Sequence, residues 1–247
     1  VQLALEPLLQ SPHSWQNVGE KLRDAGITLA SAMMGCVGED YSTIARIKET
    51  GGVMPDATYP ATLANMRRAA PLAARLGIKL LTFHAGFIPH EPESSALAKG
   101  LARVAEVASV FDRAGVNVAL ETGQEPAGAL LAFLQALDDR NVGVNFDPAN
   151  MLLYGSGDPI AALQMLRPHI RQVHIKDAVA SETAGQWGSE VPAGTGEVDW
   201  PKFFRLLQND PPPCVIEREA GASRIADVIA AAQLVRQVAQ RSIPNRP

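Results

Sequence analysis

With 247 residues, 47% of them hydrophobic and only 5% aromatic, the chain is long enough for one large core, and a parallel α/β barrel of about 250 residues is a common single-domain way to build one. Twenty-two Lys and Arg against 26 Asp and Glu give a net charge of −4 without a basic stripe, which argues against a nucleic-acid partner. Cys36 and Cys214 stand far apart with no CxxC or Cys/His cluster, so neither a disulfide framework nor a thiolate zinc site is indicated.

Taken in chain order, the strand candidates are Val1–Pro7, Ile27–Gly35, Lys79–Gly86, Asn117–Gly123, Val142–Asn150, Ile170–Asp177 and Pro213–Glu219. Helical periodicity alternates with them over Ser14–Ala25, Ala61–Leu76, Ser94–Ala114, Pro126–Leu137, Pro159–Leu166, Trp200–Leu207 and Ala222–Gln240. This rhythm predicts a single (β/α)8 TIM-barrel domain over residues 1–247, with seven strands evident and the first βα unit expected ahead of Val1. No apolar run approaches the roughly 18 residues of a membrane span. A cytoplasmic protein is expected, or one exported after removal of a leader preceding Val1.

Two connections are longer than a βα unit needs, 36–58 and 178–199, and both are expected to cover the barrel mouth. Within the strands, period-two alternation separates two faces. Val173 and Ile175 oppose Gln172, His174 and Lys176; Val118 and Leu120 oppose Ala119 and Glu121; Val144 and Phe146 oppose Asn145 and Asp147; Ile216 opposes Glu217. The aliphatic sets are expected to face helices and the polar sets the barrel interior.

Four polar residues interrupt these apolar runs: Glu121, Asp147, His174 and Glu217, separated by 26, 27 and 43 residues. Those gaps correspond to one βα unit, a second, and a third carrying a long loop, which stacks all four at one end of a parallel sheet. Three carboxylates and one imidazole meeting there form an open divalent-metal site.

The strings ETG (121–123), NFDPANM (145–151), HIKDA (174–178), GTGEVDW (194–200) and VIERE (215–219), in that order, resemble the xylose-isomerase-like TIM-barrel superfamily of sugar phosphate isomerases and epimerases, which also includes endonuclease IV. The likeness is carried by residues 80–220. It implies that Glu121, Asp147, His174 and Glu217 bind one divalent ion and that Glu121 and Glu217 also exchange the substrate proton. Where characterised epimerases and endonuclease IV usually have histidine this chain has Asn150, and no Asp-x-His pair follows His174. One ion rather than three is therefore expected, which with the charge argues against the nuclease. The arginine that such epimerases place shortly after the histidine is also missing, and Lys176 is the nearest cation.

A single Mn²⁺, Mg²⁺, Co²⁺ or Zn²⁺ held by three oxygens and a nitrogen leaves positions for two adjacent oxygens of a hydroxy-ketone. Proton removal beside the polarised carbonyl gives an enediolate; return of the proton to the same carbon, to its neighbour, or loss of a β-hydroxyl then defines an epimerase, an isomerase or a dehydratase. The leading expectation is a metal-dependent isomerase or epimerase of a sugar or sugar phosphate. An inosose-dehydratase-like enzyme is the alternative, and a non-catalytic sugar-binding protein is disfavoured because both acid/base carboxylates are present. Further substrate contacts are expected from His84, Glu6 at the end of the first strand, Asn150, Lys176 and Trp187 in the second long loop. Asp177 is expected to cap its strand or to orient His174. The partner is a small carbohydrate, and a homo-oligomer is compatible with the sequence.

Overall fold

The computed structural model describes residues 1–91, 93–208 and 210–242. The elements are β1 (Gln2–Ala4), α1 (Glu6–Gln10), α2 (Pro12–Trp15), α3 (Val18–Asp24), β2 (Ser31–Met33), α4 (Ile44–Thr50), α5 (Tyr59–Arg75), β3 (Leu80–Phe83), α6 (Ser95–Asp112), β4 (Asn117–Glu121) and α7 (Ala127–Leu137), followed by β5 (Val142–Phe146), α8 (Pro148–Tyr154), α9 (Pro159–Leu166), β6 (Ile170–Ile175), β7 (Asp177–Val179), β8 (Ser189–Val191), α10 (Trp200–Leu207), β9 (Cys214–Ile216) and α11 (Arg224–Ser242). Among the described residues, seven strands form one sheet in the order β1-β2-β3-β4-β5-β6-β9, with parallel ladders from β1 to β4 and from β5 through β6 to β9, while β7 and β8 pair as a separate antiparallel hairpin. Sheet order equal to chain order, with helices between strands, is the topology of repeated right-handed βα units. No helix among the described residues is long and apolar enough to cross a membrane.

By contact the chain divides into two compact units, residues 1–121 with 132–143, and residues 122–131 with 144–247. In the first unit, β1 to β4 form a layer whose apolar residues Leu81, Phe83, Val118 and Leu120 are buried together with Met66, Val107 and Phe111 of the helices. Caps start two of these helices where the sequence turns polar: Thr43 accepts from Arg46 N at 3.1 Å and Ser94 from Leu97 N at 3.1 Å. The first long connection is an ordered excursion carrying α4. It is pinned by Gly52, whose φ of +70° and whose absent Cβ, 2.0 Å from the Ala85 carbonyl oxygen, admit only glycine.

In the second unit, the predicted alternation holds. Phe146 of β5 turns to the helices and meets Phe203 of α10 with ring centroids 6.0 Å apart, while Trp200, Phe203 and Phe204 pack on one another. Gln172, His174, Asn145 and Asp147 on the opposite face are fully buried. The second long connection is held by one carboxylate. Asp177 accepts from Ala178 N at 3.0 Å, Gly194 N at 2.8 Å, Gly196 N at 3.2 Å, Val198 N at 3.2 Å and Trp200 Nε1 at 2.9 Å. A Cβ at position 196 would stand 2.3 Å from Asp177 Oδ1, so the GTGEVDW string is a glycine-dependent cradle for this side chain.

Several sequence expectations change in detail. Glu6 does not end a strand: β1 stops at Ala4 and Glu6 opens α1, because Pro7 and the apolar Leu8 and Leu9 favour a helical turn. Ser14–Ala25 begins with the short α2 before α3, and Val142–Asn150 ends as a strand at Phe146, where Asp147 and Pro148 start α8. Asp177 does not orient His174, since both its oxygens are taken by the loop and by Trp200.

Replacing Asp177 by alanine leaves four backbone amides and one indole N–H without their acceptor. The expected cost is about 3–5 kcal/mol in urea unfolding. The first protease cleavage should move into residues 180–198, and cleavage unchanged from the parent protein would contradict the anchoring role.

Candidate metal centre

Asp147 is the hinge between β5 and α8. Its Oδ1 caps the helix, accepting from Ala149 N at 2.8 Å and Asn150 N at 3.0 Å. Its main chain is clamped by Thr122, whose hydroxyl accepts from Asp147 N at 2.8 Å and donates to Asp147 O at 3.0 Å. That leaves Oδ2, fully buried and without a hydrogen-bond partner, turned toward His174. A buried carboxylate oxygen left over in this way is costly unless a cation or donor reaches it.

His174, 0% exposed near the end of β6, presents Nδ1 to Glu217 Oε2 at 3.2 Å and to Asp147 Oδ2 at 3.6 Å. Glu217 follows β9 directly, and its amide donates to Ile175 O at 3.2 Å, which sets it beside His174 in the sheet. Atoms sharing one ion at roughly 2.1 Å stand roughly 3.0–3.5 Å apart, so the spacing of these three donors suits a common small divalent cation. Glu121, the last residue of β4, is bonded to Thr122, the residue that clamps Asp147. One ligand atom from each of Asp147, His174 and Glu217 lies within 4.8 Å of the others. The donor set of two carboxylates and an imidazole, with Asp147 Oδ2 lacking a hydrogen-bond partner, fits a divalent ion of the hard or borderline kind.

Lys176 supplies the positive charge of this region. Its Nζ, on a side chain 2% exposed, lies 3.1 Å from Glu217 Oε2 and 3.8 Å from Asp147 Oδ2, donates to Asn150 Oδ1 at 3.4 Å and pairs with Glu219. Burial opposes its charge, but Asp147, Glu217 and Glu219 outweigh it and hold the ammonium well above its ordinary pKa. Burial likewise would raise the Glu217 carboxyl, yet His174 and Lys176 hold it below the usual carboxylate range. Glu217 is thus an ionised carboxylate at neutral pH.

The remaining predicted residues fall into separate places. His84 Nε2 lies 3.6 Å from Glu121 Oε1, its Nδ1 is buried without a hydrogen-bond partner, and its ring meets Tyr41 edge-on at 6.4 Å. Glu6 accepts from the Gly35 amide and so braces the turn after β2. Trp187 packs edge-on against Tyr154 of α8 at 4.6 Å, and the adjacent Gly188 N donates to Leu153 O at 3.0 Å, fixing this part of the loop to α8. Two residues that were read only as strand-face positions, Asn145 and Gln172, are in direct contact with the His174 ring. Arg218 was not singled out; it ties Glu190 at 2.8 Å and Asp227 at 2.9 Å, while Glu190 accepts from Glu219 N and Ala220 N at 3.0 Å, bracing the chain next to Glu217.

The family model of the xylose isomerase-like TIM barrel matches residues 3–238, and the chain belongs to that family. A xylose isomerase domain protein from Planctomyces limnophilus has the same fold with a TM-score of 0.91 at 31% identity, over 98% of this chain and 88% of that one. A xylose isomerase-like TIM barrel protein from Mycobacterium smegmatis, in complex with magnesium, gives 0.69 at 16% identity, over 92% and 78%. A D-psicose 3-epimerase from Clostridium cellulolyticum H10, with D-tagatose, gives 0.65 at 16%, over 98% and 85%. The last two likenesses are of fold alone. No curated protein matches the chain in sequence.

Glu125 is 6% exposed, and burial pushes its carboxyl from 4.5 up to about 8. In the folded state it keeps its proton between those two values while the unfolded chain has released it. Its contribution is therefore fully present below pH 4.5 and is lost as pH rises to about 8. Urea midpoints measured at pH 5, 7 and 9 should fall across this window in the parent protein and fall less in Glu125→Gln; equal slopes would contradict the assignment.

Proposed function

We propose that the protein is a divalent-metal-dependent isomerase or epimerase of a sugar or sugar phosphate, working by proton transfer between Glu217, Glu121 and a carbon next to a carbonyl. The observation that carries this reading is the grouping of Asp147, His174 and Glu217, with His174 Nδ1 3.2 Å from Glu217 Oε2 and 3.6 Å from Asp147 Oδ2. Membership of the xylose isomerase-like family supports it, as do relatives of the same fold that include a magnesium complex and a ketose epimerase.

The four side chains would hold Mn²⁺, Mg²⁺, Co²⁺ or Zn²⁺, and such an ion, when bound, supplies Lewis-acid polarisation of a carbonyl worth several kcal/mol. Glu217 Oε2 is engaged by His174 and Lys176, which leaves Oε1 as the atom that takes the proton from carbon. The electron pair of that C–H bond moves onto the carbonyl oxygen, giving an enediolate. Glu121, which would enter the cycle carrying a proton drawn from solvent, gives it to carbon from Oε1, beside His84 Nε2, and Glu217 then releases the proton it took to solvent. Delivery to the opposite face of the same carbon inverts it, and delivery to the neighbouring carbon transfers the carbonyl.

Lys176 would donate to a substrate oxygen by giving up its long 3.4 Å bond to Asn150 Oδ1, since its other two hydrogens serve Glu217 and Glu219. His84 completes the contacts near Glu121, with Glu6 and Trp187 bracing the surrounding loops.

In D₂O with Mn²⁺ and a panel of ketoses and ketose phosphates, the parent protein should wash deuterium into an accepted substrate. Glu217→Gln should lower that rate about 10²–10⁴-fold while the urea midpoint stays within the experimental spread. An unaffected exchange rate sinks the role of Glu217. Release of a dehydrated product in place of an epimer or isomer moves the protein to the dehydratase class.

A further inference from the structure

The imidazole of His174 has two faces, and the ligand set uses only one. Nδ1 looks toward Glu217 and Asp147. Nε2 looks the other way, 3.1 Å from Asn145 Nδ2 and 3.5 Å from Gln172 Nε2, and Gln172 Nε2 donates to Asn145 Oδ1 at 3.1 Å. Asn145 and Gln172 are register partners across β5 and β6, each two residues before Asp147 and His174 on the same strand face. The layer of ligands therefore stands on a layer of two amides, and all four side chains are fully buried.

A neutral imidazole carries one N–H, and the group facing each nitrogen decides which. With both amide NH₂ groups turned to the ring, Nε2 accepts, so Nδ1 carries the hydrogen and points it at the carboxylates. In that state Nδ1 has no lone pair for a cation. Ligation by Nδ1 requires the hydrogen on Nε2 and an oxygen facing it. Half a turn of the Asn145 amide presents Oδ1 to Nε2–H and moves its NH₂ toward Gln172, and the same turn of Gln172 brings Oε1 round to receive it. In the present arrangement Gln172 Oε1 is buried without a hydrogen-bond partner. An amide can serve either state, whereas a carboxylate can only accept and an aliphatic side chain can do neither.

We propose that Asn145, backed by Gln172, is a positioning residue that sets the tautomer of His174, and that the two amides reverse together when a divalent ion is taken up. This rests on the metal-site reading above. Asn145 is taken to reach the ligand set through the His174 ring, 3.1 Å from its Nε2.

The test uses the full chain stripped of metal, selectively ¹⁵N-labelled at histidine, with His174 assigned from the spectrum of His174→Gln. The ¹⁵N shifts without metal should show Nδ1 protonated in the parent protein and Nε2 protonated in Asn145→Asp. Titration with Mn²⁺, followed by the electron paramagnetic resonance of the free ion, should show affinity about 10–100-fold weaker in Asn145→Leu, and parent-like or tighter in Asn145→Asp. Identical His174 tautomers in the parent and Asn145→Asp overturn the proposal, as does undiminished Mn²⁺ affinity in a folded Asn145→Leu. If Asn145→Leu does not fold, the tautomer comparison in Asn145→Asp decides. If the parent protein takes up no Mn²⁺, the metal-site reading fails, and a tautomer unchanged by Asn145→Asp would separately remove the role of Asn145.

Discussion

The carboxylate of Asp147 is divided between two obligations, and much of the centre depends on that division. One oxygen closes the open amides of the helix that begins at Pro148. The other is thereby aimed away from the helix and into the space shared with His174. A strand running directly into a helix needs an acceptor at the junction, so the fold demands an acidic or hydroxyl side chain there whatever the chemistry. Only a carboxylate can meet that demand and still have an oxygen left. Thr122 holds the junction from the neighbouring chain segment, with a hydroxyl that both accepts from and donates to the Asp147 main chain.

The charge arithmetic around this point is close. Asp147, Glu217 and Glu219 converge on one ammonium, that of Lys176, which is itself out of water. An isolated buried lysine would shed its proton; here the surrounding carboxylates reverse that tendency, and the lysine in turn helps to keep Glu217 ionised. Where the resemblance leads one to expect a histidine the chain has Asn150, whose Oδ1 accepts from Lys176 at 3.4 Å.

The parts of the fold legible from residue pattern were those in which a single local rule acts. Helices α9 and α10 begin at Pro159 and Trp200 because Asp158 and Asp199 stand before them, and both were bounded correctly by capping and periodicity. Strand faces were legible for the same reason: Phe146 and Asp147 had to part company. What stayed hidden depends on partners distant in the chain. Asp177 reads as a companion of His174 because it is three residues away, yet it belongs to Gly194, Gly196 and Trp200. Glu6 reads as a strand end because the residues before it are apolar, whereas the helix that follows takes it over. The small hairpin of β7 and β8 has no alternation strong enough to stand out from its loop. Asn145 and Gln172 looked like ordinary inward polar residues, since nothing in one strand says what lies beside it in the next.

The cradle around Asp177 has an evolutionary corollary. Its holding points lie at the two roots of the 178–199 excursion, and Gly188 is tied to α8 between them, so the exposed tip at residues 182–186 carries none of the anchorage. Lengthening such a tip adds only slowly to the entropy of closing the loop. Descendants of this chain can therefore exchange that stretch for others, trying new surfaces there, while the strand that bears His174 remains indifferent to the experiment.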